Sequence, residues 1–295
     1  LKNNFPEKDV LILPGFIIKG CRGDCAFCSG NQIKVRSKSP KIVGKEIKTL
    51  KKKFHTNYFM FMSNEVNINY DYTLKLAEDL KKCDVLWCDS ARLDVFDKQL
   101  IKEVAKSGCI HLTYGLESGS QELLDKMNKG INVKKASQIL KWAHKENIWS
   151  HVNVIAGLPH ETEEDVKKTI EFLNENAKFI NSLTITKYFI AYNSPIEKYP
   201  EKFGLKLRKE TQTRFSNVKF ESYVFDEIGG LKWEDKQKQQ EEAVQMIVKG
   251  YKKKARSVVP IPKIFYLYDV FGRDIRRIQE VVKENNLLKP YGRHG

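Results

Sequence analysis

Apolar segments of strand length alternate with amphipathic segments of helix length along the first two thirds of this 295-residue chain. The predicted strands are 10–13, 58–62, 84–88, 109–116, 150–156 and 183–189. Repeated strand–helix units predict a parallel sheet with right-handed crossovers. Six such units are too few for a complete eight-stranded barrel, so we expect an α/β fold with a partial (β/α)6 barrel of the TIM type.

The regular alternation stops near residue 196. Beyond it the pattern predicts a strand at 220–225, a long polar helix at 233–255 and a last helix at 273–285. We therefore expect a barrel core over residues 1–195 and a helix-rich, mostly helical extension over 196–295. The chain opens on Leu1 rather than on methionine, which leaves open whether an upstream domain is missing.

Two helix starts are predicted from capping residues. Asp71 is predicted to cap a helix over 71–82, and Thr162 to cap a helix over 162–177 whose first turn holds three carboxylates. His160 and Glu161 are assigned to the beginning of the second helix rather than to catalysis.

The composition is that of a globular chain, with 41% hydrophobic and 30% charged residues. The first residues do not resemble a signal peptide and no run of about 18 apolar residues occurs, so we expect a cytoplasmic protein without a membrane partner. The net charge of +15 would suit an anionic partner. Its lysines are spread along the chain without an RNA-binding signature, so we do not expect nucleic acid as the main partner.

Three of the six cysteines, Cys21, Cys25 and Cys28, fall within one short segment. Thiolates so spaced suit zinc or an iron–sulfur cluster. Zinc normally takes four ligands, and no second cysteine pair follows. Three thiolates can instead hold three irons of a 4Fe–4S cube and leave the fourth iron open. The other cysteines lie among apolar residues and are predicted to be buried thiols; they are Cys83, Cys88 and Cys109.

The segment from Gly20 to Cys28, with Phe27 just before the third cysteine, resembles the cluster motif of the radical S-adenosylmethionine superfamily. The resemblance extends over residues 10 to about 190. Three later motifs are similar to the subgroup of cobalamin-dependent radical methylases and methylthiotransferases. They are Arg92-Leu93-Asp94, then Gly115-Leu116-Glu117-Ser118-Gly119-Ser120 with Leu124, Met127, Lys129 and Gly130, and last Gly157-Leu158-Pro159-His160-Glu161-Thr162.

The resemblance implies that Cys21, Cys25 and Cys28 bind a 4Fe–4S cluster that reductively cleaves S-adenosylmethionine. The resulting 5′-deoxyadenosyl radical would abstract hydrogen from an organic substrate, either a small molecule or a peptide. The implied partners are that substrate and an external electron donor of the flavodoxin or ferredoxin type.

The resemblance further implies that residues at the strand ends bind S-adenosylmethionine. Glu65 is expected at the methionyl amine, although Ser63 and Asn64 stand where the family often has two glycines. Arg92 is expected to pair with the methionyl carboxylate.

Later strand ends are expected to hold the nucleoside. Glu117 and Ser118 would bind the ribose hydroxyls or the amine, and 154–158 would pack on adenine, with Gly157 permitting close backbone approach. The full set of expected cofactor contacts is Phe27, Asn64, Glu65, Ser90, Arg92, Glu117, Ser118, Ile155, Gly157 and Leu158.

Three alternatives stay open. The first is a fragment of a cobalamin-dependent radical methyltransferase, although no Asp-x-His-x-x-Gly corrin motif supports cobalamin binding by this chain itself. The second is a radical enzyme that modifies RNA. The third is not an enzyme but a metal-binding protein associated with nucleic acid through its basic surface. No catalytic hydrogen donor or base can be assigned from the sequence.

Overall fold

The computed structural model describes residues 10–215, 218–253 and 257–290. Six parallel strands form its centre, and they lie side by side in the order in which they occur in the chain. This confirms the partial (β/α)6 barrel. The strands are β1 (Ile12–Gly15), β2 (Tyr58–Phe61), β3 (Leu86–Ala91), β4 (Cys109–Glu117), β5 (Trp149–Ala156) and β6 (Ser182–Lys187).

Helices cover the outer face of this sheet. Ile47, Leu76 and Ile101, from three successive helices, are buried in one apolar core with residues of the strands. Each such side chain contributes about 1.5–3 kcal/mol when it is removed from water, which holds the crossovers on the sheet. The helices are α1 (Pro40–Phe54), α2 (Tyr70–Lys81), α3 (Lys98–Lys106), α4 (Gln121–Lys126), α5 (Val133–Lys145) and α6 (Glu163–Glu175).

The helix starts follow capping chemistry, with two corrections to the sequence assignments. Asn69 rather than Asp71 caps α2, and Asp71 lies in the first turn, where its charge still suits the helix dipole. Thr162 caps α6 through a capping box, as predicted. His160 and Glu161 do not begin this helix; they lie in the turn before it, where His160 has a φ of 57°.

The C-terminal region contains a long antiparallel hairpin that the sequence predicted only in part. The predicted strand at 220–225 lies within its second strand, whereas the charged segment 198–209 gave no strand signal. Arg208 pairs across the hairpin with Asp226 at 2.6 Å, so charges of this segment are neutralised between strands. The region runs α7 (Pro195–Lys198), β7 (Leu205–Phe215), β8 (Val218–Glu227), α8 (Trp233–Gly250), β9 (Ser257–Val258), α9 (Ile261–Phe271), α10 (Ile275–Glu284) and β10 (Lys289–Pro290).

C-terminal elements close the two ends of the barrel differently. At the amino ends of the strands, Phe265 of α9 is buried in one cluster with Trp149 of β5. At the carboxyl ends, Phe225 of β8 is buried with Leu158, which follows β5. No helix in the described ranges is both long and apolar enough to cross a membrane.

Candidate active site

The three clustered cysteines lie in the loop that follows β1, at the carboxyl end of the sheet. Cys25 is buried, and Cys21 and Cys28 are half-buried. The backbone N–H of Gly23 donates to Cys21 Sγ, and that of Gly30 donates to Cys28 Sγ, both at 3.3 Å. Amide donors to sulfur stabilise the negative charge that a metal-bound thiolate carries.

In the absence of a metal, burial disfavours the thiolate form of these cysteines. It raises the pKa of the Cys21 thiol to about 11, against the lowering effect of the Gly23 amide. Metal ligation needs the thiolate, so the amide donors act in the direction that favours a bound metal.

Two glycines are required by the path of the cysteine loop. Gly20 has a φ of 84°, and a Cβ there would clash with the carbonyl oxygen of Ile33. A Cβ on Gly23 would clash with the guanidinium of Arg92. The loop is anchored from the other side by Ala26, whose N–H donates to the Met127 carbonyl at 2.9 Å.

Arg92, just after β3, is buried against this loop. Its Nη1 lies 3.5 Å from Cys25 Sγ, its Nε donates to Asp94 Oδ2 at 2.7 Å, and its Nη2 donates to the carbonyl of Lys129. The side-chain amide of Asn67 accepts a hydrogen bond from the Arg92 N–H at 2.9 Å and donates one to the Arg92 carbonyl at 2.8 Å. The guanidinium is therefore fixed beside the cysteines rather than exposed at the surface.

Glu65, in the loop after β2, is fully buried near the same cysteines. Its Oε1 accepts a hydrogen bond from the Arg22 N–H at 2.6 Å. Its Oε2 is buried and accepts no hydrogen bond within the part of the chain that the structure describes, but Arg22 Nε and Arg92 Nε lie 3.4 and 3.8 Å from it in ion pairs. Asn64 is exposed, with its side chain beside Gly30. Both ion pairs are longer than a hydrogen bond, so Oε2 keeps the capacity to accept one from a ligand group such as an ammonium.

Glu117, at the end of β4, forms a buried ion pair with Lys129. Lys129 Nζ lies 2.8 Å from Glu117 Oε1 and 5.7 Å from the centre of the Phe27 ring. Burial alone would lower the pKa of Lys129, but Glu117 and Cys25 raise it, so the ammonium stays charged. Lys129 is a site residue that our sequence set lacks, because its contact with Glu117 spans a turn and a short helix.

Ser118 points away from this pair. Its hydroxyl lies 3.2 Å from Thr169 Oγ1 in α6 and accepts a hydrogen bond from the Ser120 N–H at 3.1 Å. Ser90 is half-buried on β3, two residues before Arg92, and its carbonyl accepts from the Val66 N–H at 2.8 Å. The structure thus brings Glu117 to the cysteine side of the barrel, but not Ser118.

The segment after β5 forms the opposite wall. Gly157 has a φ of 78°, and its N–H donates to Glu161 Oε2 at 2.6 Å. Leu158 is fully buried, while Ile155 and Phe27 are half-buried edges of the same apolar cluster. These edges fit a flat apolar group such as a nucleobase. Burial raises the pKa of Glu161 to about 7 despite the Gly157 amide.

The residues present fit a cubic iron–sulfur cluster with a bound zwitterion. In the described ranges, no three Cys, His, Asp or Glu side chains converge on one metal ion. A 4Fe–4S cube does not need such convergence, because each thiolate binds a different iron. The fitting groups are three thiols in one loop, two amide donors to sulfur and a buried carboxylate oxygen that lacks a donor.

Comparison with known proteins agrees with this reading. A family model described as the radical SAM superfamily matches residues 16–173. An uncharacterized methyltransferase of Pyrococcus horikoshii is 27% identical over 159 residues, which cover 52% of this chain and 35% of the relative. The anaerobic magnesium-protoporphyrin IX monomethyl ester cyclase of Rubrivivax gelatinosus is 28% identical over 176 residues, which cover 58% of this chain and 32% of the relative. The chain thus spans about a third of the length of these curated relatives.

A solved structure supports the fold over nearly the whole chain. The radical S-adenosylmethionine methyltransferase TsrM from Kitasatospora setae, determined with cobalamin and a 4Fe–4S cluster bound, matches with a TM-score of 0.65 and 12% identity. The match covers 92% of this chain and 61% of that chain, so it includes the helices that follow the barrel.

Proposed function

The chain belongs to the radical S-adenosylmethionine superfamily, and from that membership we propose that it is a radical enzyme acting on an organic substrate, either a small molecule or a peptide. Membership implies a 4Fe–4S cluster and S-adenosylmethionine as cofactors. When bound and reduced, the cluster would supply one electron to break the C5′–S bond of S-adenosylmethionine, with methionine as the leaving product and the 5′-deoxyadenosyl group as the acceptor of a hydrogen atom from the substrate. The observation that carries the proposal is the loop of three cysteines with amide donors to two sulfurs.

Each residue of the cysteine side has a role in this proposal. Cys21, Cys25 and Cys28 are the cluster ligands. Arg92, held beside Cys25 Sγ, would offer positive charge to the methionyl carboxylate. Glu65 would accept the methionyl ammonium at Oε2, the buried oxygen that accepts no hydrogen bond in the described part of the chain.

The nucleoside would lie between the ends of β4 and β5. Glu117, oriented by Lys129, would accept hydrogen bonds from the ribose hydroxyls. Phe27 and Ile155 would contact adenine with their exposed edges. The space that a Cβ on Gly157 would take is filled by the Gln240 side chain, so Gly157 would contribute only its backbone. We leave Ser118 out of the proposed contacts because its hydroxyl is used by α6 and its own turn.

The proposed core, residues 1–195, would hold both cofactors, and residues 196–295 would cap it. An external electron donor of the flavodoxin or ferredoxin type completes the proposal. All six cysteines are free thiols, which supports a reducing compartment such as the cytoplasm.

A second candidate function is cobalamin-dependent methyl transfer. It is favoured by the methyltransferase among the relatives and by the cobalamin-bound TsrM structure, whose match covers 92% of this chain. In this candidate, cobalamin would be held by a domain outside the 295 residues of this chain.

Anaerobic reconstitution tests the proposal. The chain is loaded with iron and sulfide, reduced with dithionite and incubated with S-adenosylmethionine. We expect a brown protein with about four irons per chain that releases 5′-deoxyadenosine, measured by chromatography. The variant Cys25→Ala should lose most iron and all product.

Cys83→Ala provides the matched control, because Cys83 is a buried thiol far from the loop in sequence. It should keep its iron and its product. A colourless protein that takes up zinc and releases no 5′-deoxyadenosine, or a Cys25→Ala variant as active as the parent, would show the proposal to be wrong.

A further inference from the structure

A groove lies at the amino-terminal end of the barrel, at the end of the strands opposite the cysteine loop. It is lined by residues at the start of β6, by the segment just after α8 and by α10, and it encloses about 750 Å3. That volume is within the range of small-molecule sites. The groove, called the amino-end groove below, shares no residue with the proposed cofactor site.

The lining of the amino-end groove is strongly basic. Lys252, Lys253, Arg276 and Lys283 all line it. Among the described lining residues, Glu280 is the one carboxylate, and it already pairs with an arginine outside the groove, Arg277, at 3.3 Å. Lys253 Nζ donates to the Ile180 carbonyl at 3.0 Å, so four cations, one of them partly engaged, face one carboxylate that is already paired.

Besides burial, the positive charge of the groove lowers the pKa of a nearby side chain, His144. Burial lowers the pKa of His144, and Lys178, Lys253 and Arg276 lower it further. Such an effect arises where like charges are not neutralised locally.

Two buried amide groups of the lining lack acceptors. Asn181 Oδ1 accepts from the Ser150 N–H at 2.9 Å, which turns Nδ2 to the other side. Asn181 Nδ2 and Gln279 Nε2 are buried and have no hydrogen-bond partner in the described part of the chain. A buried donor without an acceptor is unfavourable, so a rotation of either side chain toward an oxyanion in the groove would be favoured.

We propose that the amino-end groove binds the phosphate or diphosphate group of a small phosphorylated ligand, separately from the radical chemistry. Several cations and two amide donors match an anion with multiple charges and several oxygen acceptors better than a single carboxylate. The enclosed volume favours a small molecule over an extended polymer. This site does not depend on the cluster, so it can be tested whether or not the proposed enzyme activity is found.

Calorimetric titration with inorganic pyrophosphate, in about 150 mM salt, tests the site. We expect saturable binding with one ion per chain, unchanged by S-adenosylmethionine. Arg276→Gln/Lys283→Gln, which alters two exposed side chains of α10, should weaken binding at least about tenfold. Asn181→Asp keeps the acceptor for Ser150 but places a negative charge in the groove, and it should also weaken binding.

The matched control is Lys75→Gln/Lys102→Gln, which removes two exposed lysines of α2 and α3 that do not line the groove. It should bind pyrophosphate like the parent. Equal weakening in both double variants, or no binding by the parent, would overturn the proposal. A second titration with a single-stranded RNA of about twelve nucleotides gives the other arm. Groove-dependent binding of the RNA without binding of pyrophosphate would overturn the assignment to a small ligand.

Discussion

Lys236 Nζ lies 2.8 Å from Glu227 Oε1 in a pair that is almost completely buried. The same ammonium donates to the Leu158 carbonyl at 2.8 Å, in the turn that follows β5. Both residues belong to the C-terminal cap, Lys236 to α8 and Glu227 to the end of β8. The bond from Lys236 to Leu158 joins their pair to a wall of the proposed cofactor site. The His160 N–H also donates to Glu227, at 2.8 Å, which adds to the same junction.

Breaking this pair from one side should be costly. Lys236→Met leaves Glu227 buried without its cation, and we expect a loss of about 3–5 kcal/mol in the free energy of unfolding, measured with urea. Lys236→Met/Glu227→Gln should recover part of that loss, because no unpaired charge remains. Lys238→Met, on an exposed lysine of the same helix, should change stability by less than about 1 kcal/mol. A double variant no more stable than Lys236→Met would contradict this account.

Adjacent residues at the end of β4 should respond differently to substitution. Glu117→Gln loses the charge that pairs with Lys129 and would bind the ribose, so we expect the dissociation constant of S-adenosylmethionine to rise about tenfold. Ser118→Ala should cost about 1 kcal/mol of stability and leave that constant unchanged. Equilibrium dialysis with reconstituted protein measures both. A larger effect on binding from Ser118→Ala than from Glu117→Gln would reverse the assignment.

Glu161 should make stability depend on pH near neutrality. Its pKa is raised from 4.5 to about 7, chiefly by burial, so the folded chain holds a proton that the unfolded chain has lost. This contribution is present below pH 4.5 and is lost as the pH rises through 7. Glu161→Gln can still accept a hydrogen bond from the Gly157 N–H but does not titrate. Between pH 5 and 8.5 we therefore expect its free energy of unfolding to rise, relative to that of the parent, by on the order of 1–3 kcal/mol.

Urea unfolding of both proteins across that range gives the difference directly. Other buried carboxyls, such as Asp89, whose pKa burial raises to about 7, titrate in both proteins and therefore cancel. Stability curves that stay parallel from pH 5 to 8.5 would show that Glu161 is ionised in the folded chain throughout.

The barrel core could be predicted because its signals are local. Strand and helix periodicity is set by neighbours in sequence, and the cysteine motif lies within one loop. The C-terminal region was harder, since β7 is charged and is stabilised by pairing with a distant strand. The sequence predicted no helix at α9, because Pro260 and Pro262 disfavour a helix interior, whereas proline is also favoured in the first turn of a helix.

The site residues show the same division between local and distant information. Glu117 and Ser118 were predicted together, but consecutive side chains at a strand end point to opposite sides, so Glu117 meets Lys129 and Ser118 meets α6. Asn67 and Lys129 were missed as site residues because their partners lie 25 and 12 positions away in the chain. Sequence spacing identified the ligands and the strand ends, while the side chains that orient them required the packed structure.

Arg92 should decide how firmly the cysteine loop retains its cluster. The three guanidinium nitrogens of Arg92 contact Asp94, Cys25 and the Lys129 carbonyl, one each. A lysine has a single ammonium, so Arg92→Lys should lose at least two of these contacts. After reconstitution we expect a chelator to remove iron about tenfold faster than from the parent, followed by the loss of visible absorbance. Arg36→Lys is the matched control: it alters an exposed arginine between the cysteine loop and α1, and should change the rate less than about twofold. Equal rates for the two variants would mean that the buried guanidinium does not hold the loop.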